Sequence, residues 1–211
     1  MYFSRVYLDV KKKATMLAMH SPAELHRSVA SCFPDMGNNQ RPRHLWALDK
    51  YHGQQILLIL SEEQPDFRDF VRDYGMAGKA AETKEYDSVK DKLSVGMKLR
   101  FRAKVNPVRY LCHNGKWHRC AHVTPEYQLA WFAEQGAKHG FSVVSAGVNE
   151  RRMERFQKNR NAKSVITLST CVIDGVLQVT DVTAFWNLLC FGLGQGKAYG
   201  CGLVLIGCFL R

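Results

Sequence analysis

Residues 2 to 10, Tyr-Phe-Ser-Arg-Val-Tyr-Leu-Asp-Val, alternate with the two-residue period of a half-buried strand. Over 22–33 the period lengthens, and Leu25, Val29, Cys32 and Phe33 fall on one face of a predicted helix. Two strands, Arg43 to Tyr51 and Gln54 to Leu60, flank a His52-Gly53 turn. A second helix, Asp66 to Tyr74, is closed by Gly75. A polar segment, 76–95, follows with a short strand near Tyr86 to Val89. The resulting order, βαββαβ, is the ferredoxin-like pattern.

The second half repeats this order with an extra hairpin. Met97 to Val105 alternates strongly, Asn106-Pro107 bends the chain, and His113-Asn-Gly-Lys116 turns it into a returning strand, Trp117 to Val123. Thr124-Pro125 opens a helix through about Lys138, ended by Gly140. A strand over 141–148, a basic segment over 150–163, a strand over 164–172, a turn at Asp174-Gly175 and a strand over 176–180 are predicted next. A helix from Asp181 to Cys190, a glycine-rich loop and a strand over Leu203 to Ile206 complete the chain. The fold class is therefore α+β, with two tandem ferredoxin-like (RRM-like) domains, 1–93 and 94–211.

Charge sharpens the reading. Residues 1–95 carry 14 Lys/Arg against 13 Asp/Glu, while residues 96–211 carry 16 against 6. A field concentrated on one half suits a polyphosphate, because each cation set against a phosphate releases a condensed counterion. RRM-like sheets are also a common platform for RNA. No apolar stretch approaches the roughly 18 residues of a membrane span, and the alternating start running into Lys11-Lys-Lys13 reverses the order of a secretory signal, so a cytoplasmic location is expected. Seven cysteines in apolar contexts, among them Cys171, Cys190, Cys201 and Cys208, are expected to be reduced core residues.

The glycine-rich loop Gly192-Leu-Gly-Gln-Gly-Lys-Ala-Tyr-Gly-Cys-Gly202 places Gly192, Gly194, Gly196, Gly200 and Gly202 around Lys197. Two accounts fit it: backbone amides that approach a phosphodiester, or a tight reversal of the chain. It is not a Walker loop, since Phe191 and Ala198 stand where glycine and Ser/Thr would be needed. Nor is it a dinucleotide fingerprint, because Lys197 or Tyr199 falls on the third glycine and a helix precedes the glycines. No nucleotide cofactor is expected.

Ser21-Pro-Ala-Glu reads as an N-cap, a first-turn proline and a capping box, so a helix starts here and His26 lies at the edge of its buried face. A histidine in the positive first turn is disfavoured as imidazolium and can accept a proton, as a general base for a ribose 2′-hydroxyl must. An edge-of-core histidine is the alternative. His20 is assigned to the connecting loop, with nothing to orient it. Cys112, His113, His118, Cys120 and His122 are ligand-type residues. Their spacing matches no common four-ligand module and also fits a hairpin with a polar tip, and no metal is expected. The segment Glu150 to Lys163 holds six cations, among them Arg151, Arg152, Arg155, Lys158 and Arg160. It reads as a basic loop that orders against an RNA backbone, or as a solvated surface loop. Arg100, Arg102 and Lys104 alternate onto one strand face, a row that needs anionic company. With so few acids in the second half, a two-metal nuclease is disfavoured.

Together these segments resemble the CasE family, the CRISPR repeat-RNA endoribonucleases of Cascade-type complexes. The resemblance spans essentially the whole chain. It rests on Met1-Tyr-Phe-Ser-Arg-Val, Leu25-His26 to Phe33-Pro34, Arg100-Phe-Arg-Ala-Lys-Val-Asn-Pro107, and Gly192-x-Gly-x-Gly-Lys-Ala-x-Gly-Cys-Gly-Leu203. It implies metal-independent cleavage at the base of a repeat hairpin, leaving a 2′,3′-cyclic phosphate and a 5′-hydroxyl. It also implies retention of the product RNA among other Cascade subunits, with no cofactor. The family's catalytic histidine falls on His26, and the stem-gripping part corresponds to 150–163. RNA contacts are expected from Arg102, Lys104, Arg151, Arg152, Arg155, Lys158, Arg160 and Lys197. Similar proteins often carry a tyrosine three residues before the histidine. This chain has Ala23 there, leaving Lys197, Tyr199 or Arg27 to assist. A non-catalytic RRM-like RNA-binding subunit is the alternative function, and a zinc enzyme using 112–122 is a third.

Overall fold

Alternation on Tyr2–Tyr7 (β1) turns Val6 inward, and this strand becomes the centre of a four-stranded antiparallel sheet. The computed structural model describes residues 1–35, 42–158 and 164–208. The first sheet has the order β2-β3-β1-β4, with β2 at His44–Tyr51, β3 at Gln54–Ser61 and β4 at Glu82–Glu85. Helices α1 (Lys13–His20), α2 (Pro22–Ala30) and α3 (Arg68–Tyr74) join its strands. The order is that of a ferredoxin-like unit, with the last strand beside the first. Its core gathers Val6, Leu8, Leu25, Val29, Phe33, Trp46, Leu57 and Ile59, all under 10% exposed.

The second sheet repeats the topology in the order β10-β5-β9-β8: β5 is Lys98–Val105, β8 Phe141–Gln157, β9 Val165–Val179 and β10 Val204–Cys208. Helices α4 (Pro125–Lys138) and α5 (Val182–Phe191) supply the crossovers. Strict alternation along β5 buries Leu99, Phe101, Ala103 and Val105, and Phe101 stacks on Phe132 of α4. The hairpin inserted before α4 pairs separately, as β6 (Val108–His113) and β7 (Lys116–Ala121).

The chain divides into two compact units. The first comprises 1–91, 156–165 and 198–200, and the second 92–155, 166–197 and 201–211. The two short segments, expected in the second domain, group with the first. Among the described residues no helix is long and apolar enough to cross a membrane.

Several local expectations are corrected. Residues 13–20 form a helix, because Ala14, Met16, Leu17 and Ala18 are good helix formers and Thr15 and Ala18 bury against the rest of the unit. His20 is therefore its last residue, not part of a loop, and its Nδ1 is hydrogen-bonded to the Met16 carbonyl at 2.7 Å. The fourth strand lies at Glu82–Glu85, before the expected position, where Arg5 faces Glu82 across the ladder in a 2.7 Å ion pair. That partner is invisible to local propensity. The basic segment through Gln157 continues β8 as strand. No turn interrupts β9 at Asp174-Gly175: a Cβ on Gly175 would lie 2.0 Å from the Ser145 carbonyl oxygen, so this glycine permits close strand approach.

Candidate nucleic-acid interface

The start of α2 follows from its cap. The Ser21 side chain accepts from the Glu24 amide at 3.4 Å, and Pro22 occupies the first turn. The reciprocal half of the capping box does not form. The Ser21 amide donates to Ala18 at the end of α1, and the Glu24 carboxylate instead takes Arg27 at 2.6 Å. Arg27 is thus held on the exposed helix surface. His26 is the fifth helical residue, one past the first turn, where the influence of the helix dipole has already fallen off. It is half-buried, and its orientation follows from packing.

That packing is a run of rings. His26 stacks on His44 with centroids 5.5 Å apart and planes at 26°, and His44 stacks in turn on Phe33 at 4.9 Å. On its other side, His26 meets the Tyr199 ring edge-on at 6.3 Å, and Tyr199 meets Phe156 at 4.8 Å. The His44 Nδ1 is hydrogen-bonded to the Pro42 carbonyl at 3.0 Å, which assigns the proton of a neutral ring to Nδ1. The sequence reading missed His44. Its signal was parity, since on β2 it shares a face with Trp46 and Leu48, the face covered by helices. Ala23, three residues before His26, is buried. Tyr199 is the hydroxyl-bearing ring beside His26.

Tyr199 is placed by the residues on either side of it. The Ala198 carbonyl accepts from the Trp46 indole N–H at 3.3 Å, and Gly200 rests on the indole face. All five glycines of the loop lie in the left-handed region, with φ from 69° to 90°. At Gly202, moreover, a Cβ would come 2.6 Å from the Leu193 carbonyl oxygen. The amides of Gly192, Leu193, Cys201 and Gly202 donate within the protein, to Leu188, Gly202, Gly196 and Lys104 respectively. These four glycine-loop amides serve the turn. The Lys197 ammonium, in the second unit, donates to the Phe191 carbonyl at 2.7 Å, closing the end of α5.

The second unit's sheet carries the strand cations. Arg102 and Lys104 alternate with the buried residues of β5, as read from the pattern, but the protein supplies anions for both. Arg102 pairs with Asp174, directly opposite on β9, at 3.2 Å, and Asp174 also accepts from Asn149. Lys104 pairs with Glu154 of β8 at 2.6 Å, and Thr170 donates to the same carboxylate at 3.4 Å. On β8, Arg151 donates to the Val123 carbonyl at 3.1 Å and Arg152 pairs with Glu150. Arg151 and Arg155 share one face of the strand, and Arg152, Glu154 and Phe156 follow the other parity, with Lys158 just past the strand's end. Arg160 and Lys163 lie outside the described residues.

Among the described residues, no three His, Cys, Asp or Glu side chains converge as a metal ligand set. The 112–122 segment is a ribbon in which Cys112 faces Trp117, His118 faces Leu111 and Cys120 faces Arg109, so none of these three is paired across it with another ligand-type residue. Cys32, Cys171 and Cys201 are buried, and burial pushes each thiol up to about 12. Cys190 is buried as well, whereas Cys112 is exposed. The Cys208 side chain lies outside the described residues.

A family model described as CRISPR associated protein matches residues 1–207. The CRISPR-associated endoribonuclease Cse3 of Thermus thermophilus is 26% identical over 220 residues, covering 98% of this chain and 99% of that protein. The CRISPR system Cascade subunit CasE of Escherichia coli is 26% identical over 125 residues, 55% of this chain and 61% of that protein. Among solved structures, Thermus thermophilus Cse3 bound to an RNA representing a pre-cleavage complex superposes with a TM-score of 0.80 at 23% identity, covering 98% of each chain. Cas6e from E. coli superposes with a TM-score of 0.69 at 21% identity, covering 99% of this chain and 100% of that one. At these identities the structural likenesses bear on the fold.

Proposed function

The chain belongs to the CRISPR associated protein family, whose model spans residues 1–207, and on that premise we propose that it is an endoribonuclease that cuts CRISPR repeat hairpins in precursor RNA and retains the product. The observation that carries this reading is the half-buried His26, stacked on His44 and faced by Tyr199 at 6.3 Å. A titratable ring held by other rings in a basic protein suits proton transfer at a ribose. The full-length similarity to a protein named as an endoribonuclease supports the activity, and similarity to a Cascade subunit supports assembly with other Cascade proteins.

The reaction is a transesterification. The 2′-hydroxyl of the nucleotide before the cut gives its proton to His26 as its oxygen attacks the adjacent phosphorus. The bond from phosphorus to the 5′-oxygen breaks, and that oxygen leaves with the electron pair and takes up a proton from water, while the proton on His26 returns to the solvent. The products are a 2′,3′-cyclic phosphate and a 5′-hydroxyl, and the nucleophile comes from the RNA itself, so no metal-bound water is required. Tyr199 takes the place of the tyrosine that Ala23 lacks, holding the ribose or phosphate by its hydroxyl. Arg151, Arg152, Arg155 and Lys158 grip the stem backbone, with Arg160 continuing the same basic segment, and Arg102 and Lys197 add cationic contacts, while Glu154 holds the Lys104 ammonium back from the phosphates. General acid–base help of this kind contributes about 10²- to 10⁴-fold, enough for an enzyme that acts once and keeps its product.

The test is cleavage of repeat RNA by purified protein in chelator. His26→Ala should lower the single-turnover rate by about 10²-fold or more, and a 2′-deoxy nucleotide before the scissile bond should abolish cutting. Undiminished cleavage in either case would refute the mechanism. Tight binding with no cleavage by the wild type would leave a non-catalytic RNA-binding subunit instead.

A further inference from the structure

The β6–β7 ribbon has no part in the reaction above. Its strands pair from Val108↔Ala121 to His113↔Lys116 around a tight Asn114-Gly115 turn, and nearly every residue on both faces is exposed. An element without a buried face gains no stability by carrying large aromatic groups, yet Trp117 is 71% and Tyr110 53% exposed. The register sets Tyr110 opposite Arg119 and Cys112 opposite Trp117, so Tyr110, Trp117 and Arg119 share one face. Gln195 of the glycine-rich loop donates to the Tyr110 hydroxyl at 2.7 Å and accepts from Arg119 at 3.4 Å, fixing that end of the ribbon. Arg109, Lys116 and Arg119 make the ribbon cationic, and the chain has no Asp or Glu between Asp91 and Glu126.

We propose that this ribbon is a binding site for single-stranded RNA, in which Trp117 stacks on an unpaired base while Arg119, on the same face, meets a neighbouring phosphate. The proposal rests on RNA being the substrate and adds a second contact, for the unpaired sequence that flanks a repeat hairpin. Exposed aromatics interleaved with cations are the pattern that binds unpaired strands, because every base offers a face to stack on. A duplex offers no such face along its length, and the major groove of A-form RNA is too narrow for side chains to read. A protein partner would call for an interface centre depleted of charge, unlike this one.

The experiment measures binding of the full chain to two probes: an oligouridylate of about twelve nucleotides, within the usual range of single-strand sites, and a blunt stem-loop with no unpaired extension. Trp117→Ala should weaken the oligouridylate about fivefold or more, the low end of one lost base stack, and leave the stem-loop within about twofold. Trp117→Phe should recover part of the loss. Tryptophan emission should be quenched by the oligouridylate in the wild type and far less in Trp117→Phe, since of the other three tryptophans Trp46 and Trp131 are buried and Trp186 is half-buried. An unchanged oligouridylate affinity in Trp117→Ala, or equal losses on both probes, would overturn the proposal. Failure of repeat cleavage with the Trp117 effect intact would instead overturn the nuclease reading and leave the ribbon site standing.

Discussion

Gly200 lies against the indole of Trp46 so closely that a Cβ at that position would stand 2.5 Å from the ring. The same indole donates to the Ala198 carbonyl at 3.3 Å. One buried side chain of β2 therefore grips the residues on both sides of Tyr199. The glycine is required by this approach as well as by its φ of +76°, and the orientation of Tyr199 toward His26 follows from the grip.

Gly53 has the same φ of +76° and nothing within 4 Å of where its Cβ would be, which makes it the control for the ring contact. Gly53→Ala should cost about 1 kcal/mol from backbone strain alone. Gly200→Ala should cost more and should lower the cleavage rate more than it lowers RNA affinity. Thermal melts and single-turnover rates on both variants check this. Equal shifts in apparent melting temperature would show that the indole contact carries no weight.

His44 should act as a positioning residue. Removing the ring with His44→Ala leaves His26 without its stacking partner, and a misplaced base costs about tenfold to a hundredfold in rate. His44→Phe restores the stack and should recover most of that loss with stem affinity unchanged. If alanine and phenylalanine variants cleave equally slowly, the ring contributes through something other than stacking.

Glu154 restrains Lys104 in a partly buried pair, 2.6 Å long with side chains 29% and 16% exposed. Glu154→Gln should free that ammonium for phosphate and so tighten RNA binding. The slope of log affinity against log salt should steepen by about 0.7 to 0.9, one further phosphate contact. A salt titration of the variant against wild type reads this directly, and an unaltered slope would place Lys104 outside the RNA contact.

The buried thiols of Cys32, Cys171 and Cys201, each raised from 9.0 to about 12, hold almost no thiolate at pH 8. In the folded chain they should resist iodoacetamide while exposed Cys112 is labelled, as peptide mapping by mass spectrometry would show. Above about pH 9 the unfolded chain ionises these thiols and the folded chain keeps them protonated. Stability should accordingly fall as pH rises from about 9 toward 12.

The alternation of β5, the Asn114-Gly115 turn and the capped start of α2 were all legible in the sequence. Each depends on a period or a cap that acts within a few residues. The 13–20 helix was not, because the burial of Thr15 and Ala18 depends on other elements. Gly175 was read as a turn because a glycine that admits a neighbouring strand looks the same in sequence as one that reverses the chain.

The sequence by itself determined two ferredoxin-like units, a histidine at the edge of a helix, a basic second half and a glycine-rich loop around Lys197. Only the tertiary structure decided that His26 stacks on His44 and faces Tyr199, that Trp46 grips residues 198 to 200, and that Asp174 and Glu154 answer Arg102 and Lys104. The reason is range. Periodicity and capping act between residues a few positions apart, whereas ring stacking and ion pairing join residues separated by up to 173 positions, and their partners are chosen by packing.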